Sequence, residues 1–86
     1  MKIVVPSQLR DYTGGASVVE AQGASLSALF ADLDRRYQGI RFRMIDEQGA
    51  IRRHIKIFVN RAQANSLETP LAGRDEIVIV GALSGG

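Results

Sequence analysis

The chain has 86 residues, of which 45% are hydrophobic and 23% charged, with a formal net charge of +2 and no cysteine. A chain of this length holds one small core rather than two, leaves little room for a roomy active site, and has the composition of a folded globular domain. Without cysteine there can be no disulfide, thiolate metal site or cysteine nucleophile, so any sulfur chemistry must use sulfur brought from outside. The mild charge does not point to nucleic acid. The apolar stretch in Met1–Pro6 is too short for a signal peptide and no run approaches membrane-spanning length, so a cytoplasmic protein without a membrane partner is expected.

Lys2 to Val5 is a β-branched run closed by Pro6, which lacks the N–H that a central ladder needs, so a first strand is expected to end there. Ser7 to Gly15 reads as a wide polar connection, with Gly14-Gly15 as a turn supplying positive φ. Ser17 to Glu20, with Val18-Val19, reads as a second strand that pairs back on the first.

From Leu26 the apolar residues fall at Leu26, Leu29, Phe30, Leu33 and Tyr37, the spacing of one helical face. Ser25 suits the N-cap, Asp32 and Arg36 sit one turn apart, Arg35 and Arg36 suit the negative C-terminal end, and Gly39 fits just past the stop. One amphipathic helix over about Leu26 to Tyr37 follows, with Tyr37 as part of its core stripe. Ile40 to Ile51 fits neither period, although Asp46-Glu47-Gln48-Gly49 is a turn signal.

Ile55, Ile57 and Val59 alternate with Lys56 and Phe58, a half-buried strand ending at Asn60 that places Phe58 on the face away from the other apolar residues. Ala62 to Leu71 reads as a polar connection, and Glu76 to Val80 as the closing strand. The order is strand, strand, helix, strand, strand: an α+β arrangement with one helix on one face of a mixed sheet. The first and last strands are expected side by side and parallel at the sheet centre, which is the β-grasp (ubiquitin-like) order.

Directly after the last strand the sequence closes on Ser84-Gly85-Gly86. Glycine lacks a Cβ, so a glycine pair either makes a thin tail that can enter a narrow channel in another protein and deliver a carboxylate there, or is a frayed end with no role. The division expected is a domain over residues 1–83 and a flexible reactive tail over 84–86.

With this strand order, the diglycine resembles the ubiquitin-like sulfur carriers, the family of the molybdopterin synthase small subunit and the thiamine-thiazole sulfur carrier. Pro6-Ser7-Gln8-Leu9-Arg10, Thr13-Gly14-Gly15, Tyr37-Gln38-Gly39-Ile40, Ile57-Phe58-Val59-Asn60 and Gly81-Ala82-Leu83-Ser84-Gly85-Gly86 carry the resemblance. They bring the chain nearest to the carriers of thiocarboxylate-dependent cysteine synthesis. Two departures stand out. The usual Asn-Gly turn is Asn60-Arg61 here, and Ala82-Leu83 lies where a proline is common nearby.

The resemblance implies a protein that is not an enzyme but a carried reagent. A ubiquitin-activating-type adenylyltransferase, using ATP and Mg²⁺, would join Gly86 to AMP, and a persulfide sulfur donor would then leave a thiocarboxylate (1-thioglycine) on Gly86. That sulfur is the nucleophile offered to a sulfur-accepting synthase. Gly85 and Ser84 would insert with the tail, and no cofactor, catalytic group or metal would reside on this chain. His54 has no partner at ligand spacing.

Phe58 and Leu83 are candidate partner contacts, Phe58 because an aromatic on a solvated face calls for a cover. That cover is either a partner or the loop from Arg61 to Leu71. Arg41, Arg43, Arg52, Arg53 and Lys56 form a basic span, either a solvated face or a docking patch for an acidic partner. Three other functions fit the same tail and fold: the small subunit of molybdopterin synthase, a protein modifier conjugated to lysines through Gly86, and a plain ubiquitin-like binding module.

Overall fold

The computed structural model describes residues 1–81. Among them, β1 (Lys2–Val4), β2 (Val18–Glu20), β3 (Ile55–Val59), β4 (Ala62–Ala64) and β5 (Glu76–Gly81) form one sheet in the order β2-β1-β5-β3-β4. β1 and β5 lie side by side and parallel, Ile3 opposite Ile77, and every other pairing is antiparallel. The expected order and central parallel pair are present. The expected four strands become five, because β4 lies within the segment read as a polar connection. Among the described residues no helix is long and apolar enough to cross a membrane.

α1 (Leu26–Arg36) crosses one face of the sheet. Its stripe of Leu26, Leu29, Phe30 and Leu33 is fully buried against Ile3, Val5, Ile57, Ile77 and Ile79. The Ser25 hydroxyl accepts the Ala28 amide proton at 3.2 Å, the N-cap that the sequence signals. The helix stops at Arg36 with Tyr37 as its cap residue, partly buried against the core. Gly39, at φ 96°, opens the next helix instead of closing this one.

That next helix is α2 (Ile40–Met44), inside the stretch that shows no period in the sequence. Five residues are too few to display one, but Ile40 and Met44 sit one turn apart and both are buried. Asp34 Oδ1 accepts the Gly39 and Arg41 amides at 3.1 and 3.0 Å and so ties the two helices together. Asp46 closes the expected turn by accepting from Gln48 and Ala50, which holds its carboxyl below the ordinary range.

A 3-10 helix over Ser7–Thr13 stands where a plain connection was expected; it buries Leu9 and Thr13. Gly14 and Gly15 follow at φ 66° and 90°, the positive-φ turn expected of them. The sheet is therefore covered by α1 together with two shorter helices, not by α1 alone.

Asn60 and Arg61 both have positive φ, 49° and 75°, and make the tight turn that pairs Val59 with Ala62. Asn60 also donates to Asp75 Oδ1 and accepts the Glu76 amide proton, fastening the turn to the start of β5. Both the Ala72 amide and this Asn60 contact hold the Asp75 carboxyl below its ordinary range.

Candidate functional site

Gly86, Gly85, Ser84 and Leu83 lie outside the described residues, so the site is defined by the root from which they leave. β5 carries the chain to Gly81, which pairs with Ile55 at the start of β3. On its other side β5 loses its neighbour earlier, since pairing with β1 ends at Val4 opposite Val78 and the chain turns away at Pro6. The Gln8 side chain takes over there, its Nε2 donating to the Gly81 carbonyl at 2.7 Å. A Cβ on Gly81 would stand 2.8 Å from that same nitrogen, so any side chain at this position must displace the donor. The tail root is thus held between a backbone pair and a side-chain amide from the 3-10 helix.

Beside the root runs an open groove of about 530 Å³ between the 3-10 helix and α2, lined by Gln8, Tyr12, Phe42, Arg43, Arg52 and His54 among others. Phe42 is 53% exposed, with the Arg52 guanidinium 4.6 Å from its ring centre. Arg52 Nε donates to the Phe42 carbonyl at 2.8 Å, and Arg43 Nε donates to the Tyr12 hydroxyl at 2.6 Å. Both arginines are therefore oriented by neutral partners. Of the five basic residues singled out between Arg41 and Lys56, two are gathered here with His54. Nothing in the sequence shows that Gln8, Tyr12 and Phe42 complete the wall.

The open face of the sheet presents a second feature. Cross-strand register sets Val18, Val4, Val78 and Phe58 in one row across four strands, with Gln63 beyond them. Phe58, Val4 and Val78 are half-buried, and Val18 is 44% exposed. Phe58 does lie away from the core, as the alternation requires. Within the Arg61–Leu71 segment, Gln63 pairs opposite Phe58. β4 continues the sheet, while Leu67 and Leu71 pack with the core and residues 67–71 hydrogen-bond along the approach to α1.

The perturbed carboxylates Asp32, Asp46 and Asp75 each hold backbone or side-chain hydrogen bonds that fix the fold. Asp32 is 7% exposed and accepts from the Gln22 amide, Arg36 Nε and Arg35. The Gln22 hydrogen bond, reinforced by the two arginines against the cost of burial, holds its carboxyl below the ordinary value. This anchors α1 to the segment that follows β2. Among the described residues no three metal-ligating side chains come together.

The model of the ThiS family matches residues 3–86. Sulfur carrier protein CysO of Mycobacterium bovis is 35% identical over 89 residues, spanning 98% of this chain and 96% of the relative, and the protein of the same name from Mycobacterium tuberculosis matches equally. The crystal structure of Mycobacterium tuberculosis CysO, described as an antigen, superposes with a TM-score of 0.89 at 33% identity, covering 95% of this chain and 98% of that one. A crystal structure of the Amycolatopsis orientalis BexX/CysO complex includes a chain that superposes with a TM-score of 0.90 at 32% identity, covering 99% and 98%. SAMP1 of Haloferax volcanii, at 22% identity and a TM-score of 0.79 over 100% and 98% of the two chains, shares the fold.

Proposed function

The chain belongs to the ThiS family of ubiquitin-like sulfur carriers, and from that premise we propose that Gly86 carries the sulfur, as a thiocarboxylate donated to cysteine synthesis. The observation that carries this reading is the 35% identity to curated sulfur carriers over 98% of the chain. The family match extends through Gly86 itself.

The chemistry follows from what a carboxylate lacks. Its oxygen is a poor leaving group at neutral pH, so the Gly86 carboxylate first attacks the α-phosphorus of ATP, releasing pyrophosphate and giving an acyl adenylate. A partner adenylyltransferase using Mg²⁺ performs this step. The terminal sulfur of a persulfide then displaces AMP to give an acyl disulfide, and a second thiol attacks the donor's own sulfur, forming a disulfide with it and releasing the thiocarboxylate on Gly86. The resulting thiocarboxylate attacks an electrophilic substrate held by a synthase, and hydrolysis returns the Gly86 carboxylate. This chain supplies the reagent and its partners supply acid, base and metal.

The body, residues 1–83, presents the tail, residues 84–86, in the cytoplasm. Gly85 and Ser84 pass through the partner's channel with Gly86. The described geometry supports the delivery: Gln8 and Ile55 hold the root at Gly81 from two sides. Phe58 with its row of valines, and Leu83 at the tail's base, form the contact with the receiving enzyme.

A Gly86→Ala variant tests the reading, since the added methyl sits on the reacting residue. Folding measured by circular dichroism stays as in the wild type, while thiocarboxylate formation, read as intact mass after incubation with ATP, Mg²⁺, a persulfide donor and the activating enzyme, falls by more than about tenfold. Near-normal loading of the variant contradicts tail insertion.

A further inference from the structure

We propose that the groove between the 3-10 helix and α2 docks an acidic peptide segment of the enzyme that adenylates the tail. This rests on the reading that another protein takes the tail, and adds where that protein is gripped and by what chemistry.

Position comes first. Gln8 belongs both to the groove wall and to the hydrogen bond on Gly81. An enzyme that draws in the chain beyond Gly81 therefore works beside this groove.

Charge comes second. Arg43 and Arg52 line the groove, whose one carboxylate is Asp11. Among the described residues neither arginine lies within ion-pair distance of a carboxylate. Each spends its Nε on a neutral acceptor, and the terminal guanidinium nitrogens make no hydrogen bond among the described residues. A guanidinium already oriented through Nε loses less freedom on binding, and its fork matches a carboxylate with two parallel bonds.

The exposed Phe42 ring, with Arg52 over it on the groove wall, adds an apolar contact for the segment's backbone or side chains. The groove is an open channel of a size for a few residues of extended chain rather than an enclosed chamber for a small molecule.

The test is steady-state loading of the full chain by its activating enzyme across a range of carrier concentrations and salt. For the double variant Arg43→Glu with Arg52→Glu, the expected result is a KM raised at least about tenfold with kcat within about twofold. The wild-type KM should rise with added NaCl far more steeply than that of Arg43→Gln with Arg52→Gln. Arg74→Glu, a single reversal of sign and so half the charge change of the double variant, on an exposed loop at the other end of β5, should leave KM within about twofold. The neutral glutamine pair also serves if charge reversal perturbs folding.

An unchanged KM in both double variants, beside a wild type that loads, overturns the groove alone. So does an Arg74→Glu effect as large as theirs, which would mark a response to net charge. A wild type that binds the enzyme but takes no sulfur overturns the proposed function instead, and the groove is then judged by the same variants in the binding measurement.

Discussion

The two faces of one sheet are built from the same strands and are used differently. On the covered face Ile3, Val5, Ile57, Ile77 and Ile79 meet the α1 stripe with almost no exposure, whereas on the open face the row Val18, Val4, Val78 and Phe58 stays half in contact with water. Alternation along a strand makes this division possible, because successive side chains point to opposite sides. The covered face holds the domain together. The open face leaves an apolar row partly exposed, at a cost that a small domain bears only if its core is complete, and under the proposed function a partner covers it.

The sharpest way to break that comparison is to cut one aromatic from each face. Phe30→Ala, in the covered core, should lose about 3–5 kcal/mol, a large part of the total for a small domain, measured by chemical denaturation. Phe58→Ala should lose only about 1–2 kcal/mol by the same measurement, because the ring is only partly buried. Its affinity for the receiving enzyme should fall by about tenfold or more. If Phe58→Ala binds as the wild type does, the open face is not a docking surface and the comparison collapses to one of packing alone.

A smaller effect sharpens it from the frame that both faces share. Arg61 sits at φ 75°, where a Cβ costs about 1–2 kcal/mol. Arg61→Gly removes that strain and adds about 0.5–1 kcal/mol of unfolded-state entropy, so a net gain of about 0.5–1 kcal/mol is expected. Partner affinity should stay unchanged, since the turn lies at the far end of β3 from the tail root. A loss of stability would mean that the arginine side chain earns its place through contacts beyond its own backbone.

What the sequence reveals follows from how local each cause is. α1 is legible because Leu26, Leu29, Phe30 and Leu33 repeat at helical spacing, Tyr37 extends the pattern to the cap, and Ser25 opens it. β1, β2, β3 and β5 are legible because their β-branched runs alternate or are bounded by turn residues. β4 is not, since Ala62-Gln63-Ala64 has no strand preference of its own and becomes a strand through the two-residue turn that folds it onto β3. The 3-10 helix and α2 carry too few apolar residues to show a period.

The tail chemistry is legible as a pattern at the end of the chain, but its support is not. Gln8 and Gly81 are 73 positions apart, and only the path of β1 and β5 through the sheet centre brings them together. The same holds for Arg43 and Arg52. In sequence they are two members of a diffuse basic span, and in the fold they are a pair on one groove.

The account turns on where sulfur resides. The most direct measurement is fragmentation mass spectrometry of the C-terminal peptide, taken from the protein after loading with ATP, Mg²⁺, a persulfide donor and the activating enzyme. The account predicts one oxygen replaced by one sulfur in the fragment that contains Gly86 and in no other, lost again when the loaded protein is given to its synthase with an electrophilic acceptor. Sulfur found elsewhere on the chain, or an unmodified Gly86 when the same enzyme loads another carrier, would contradict it.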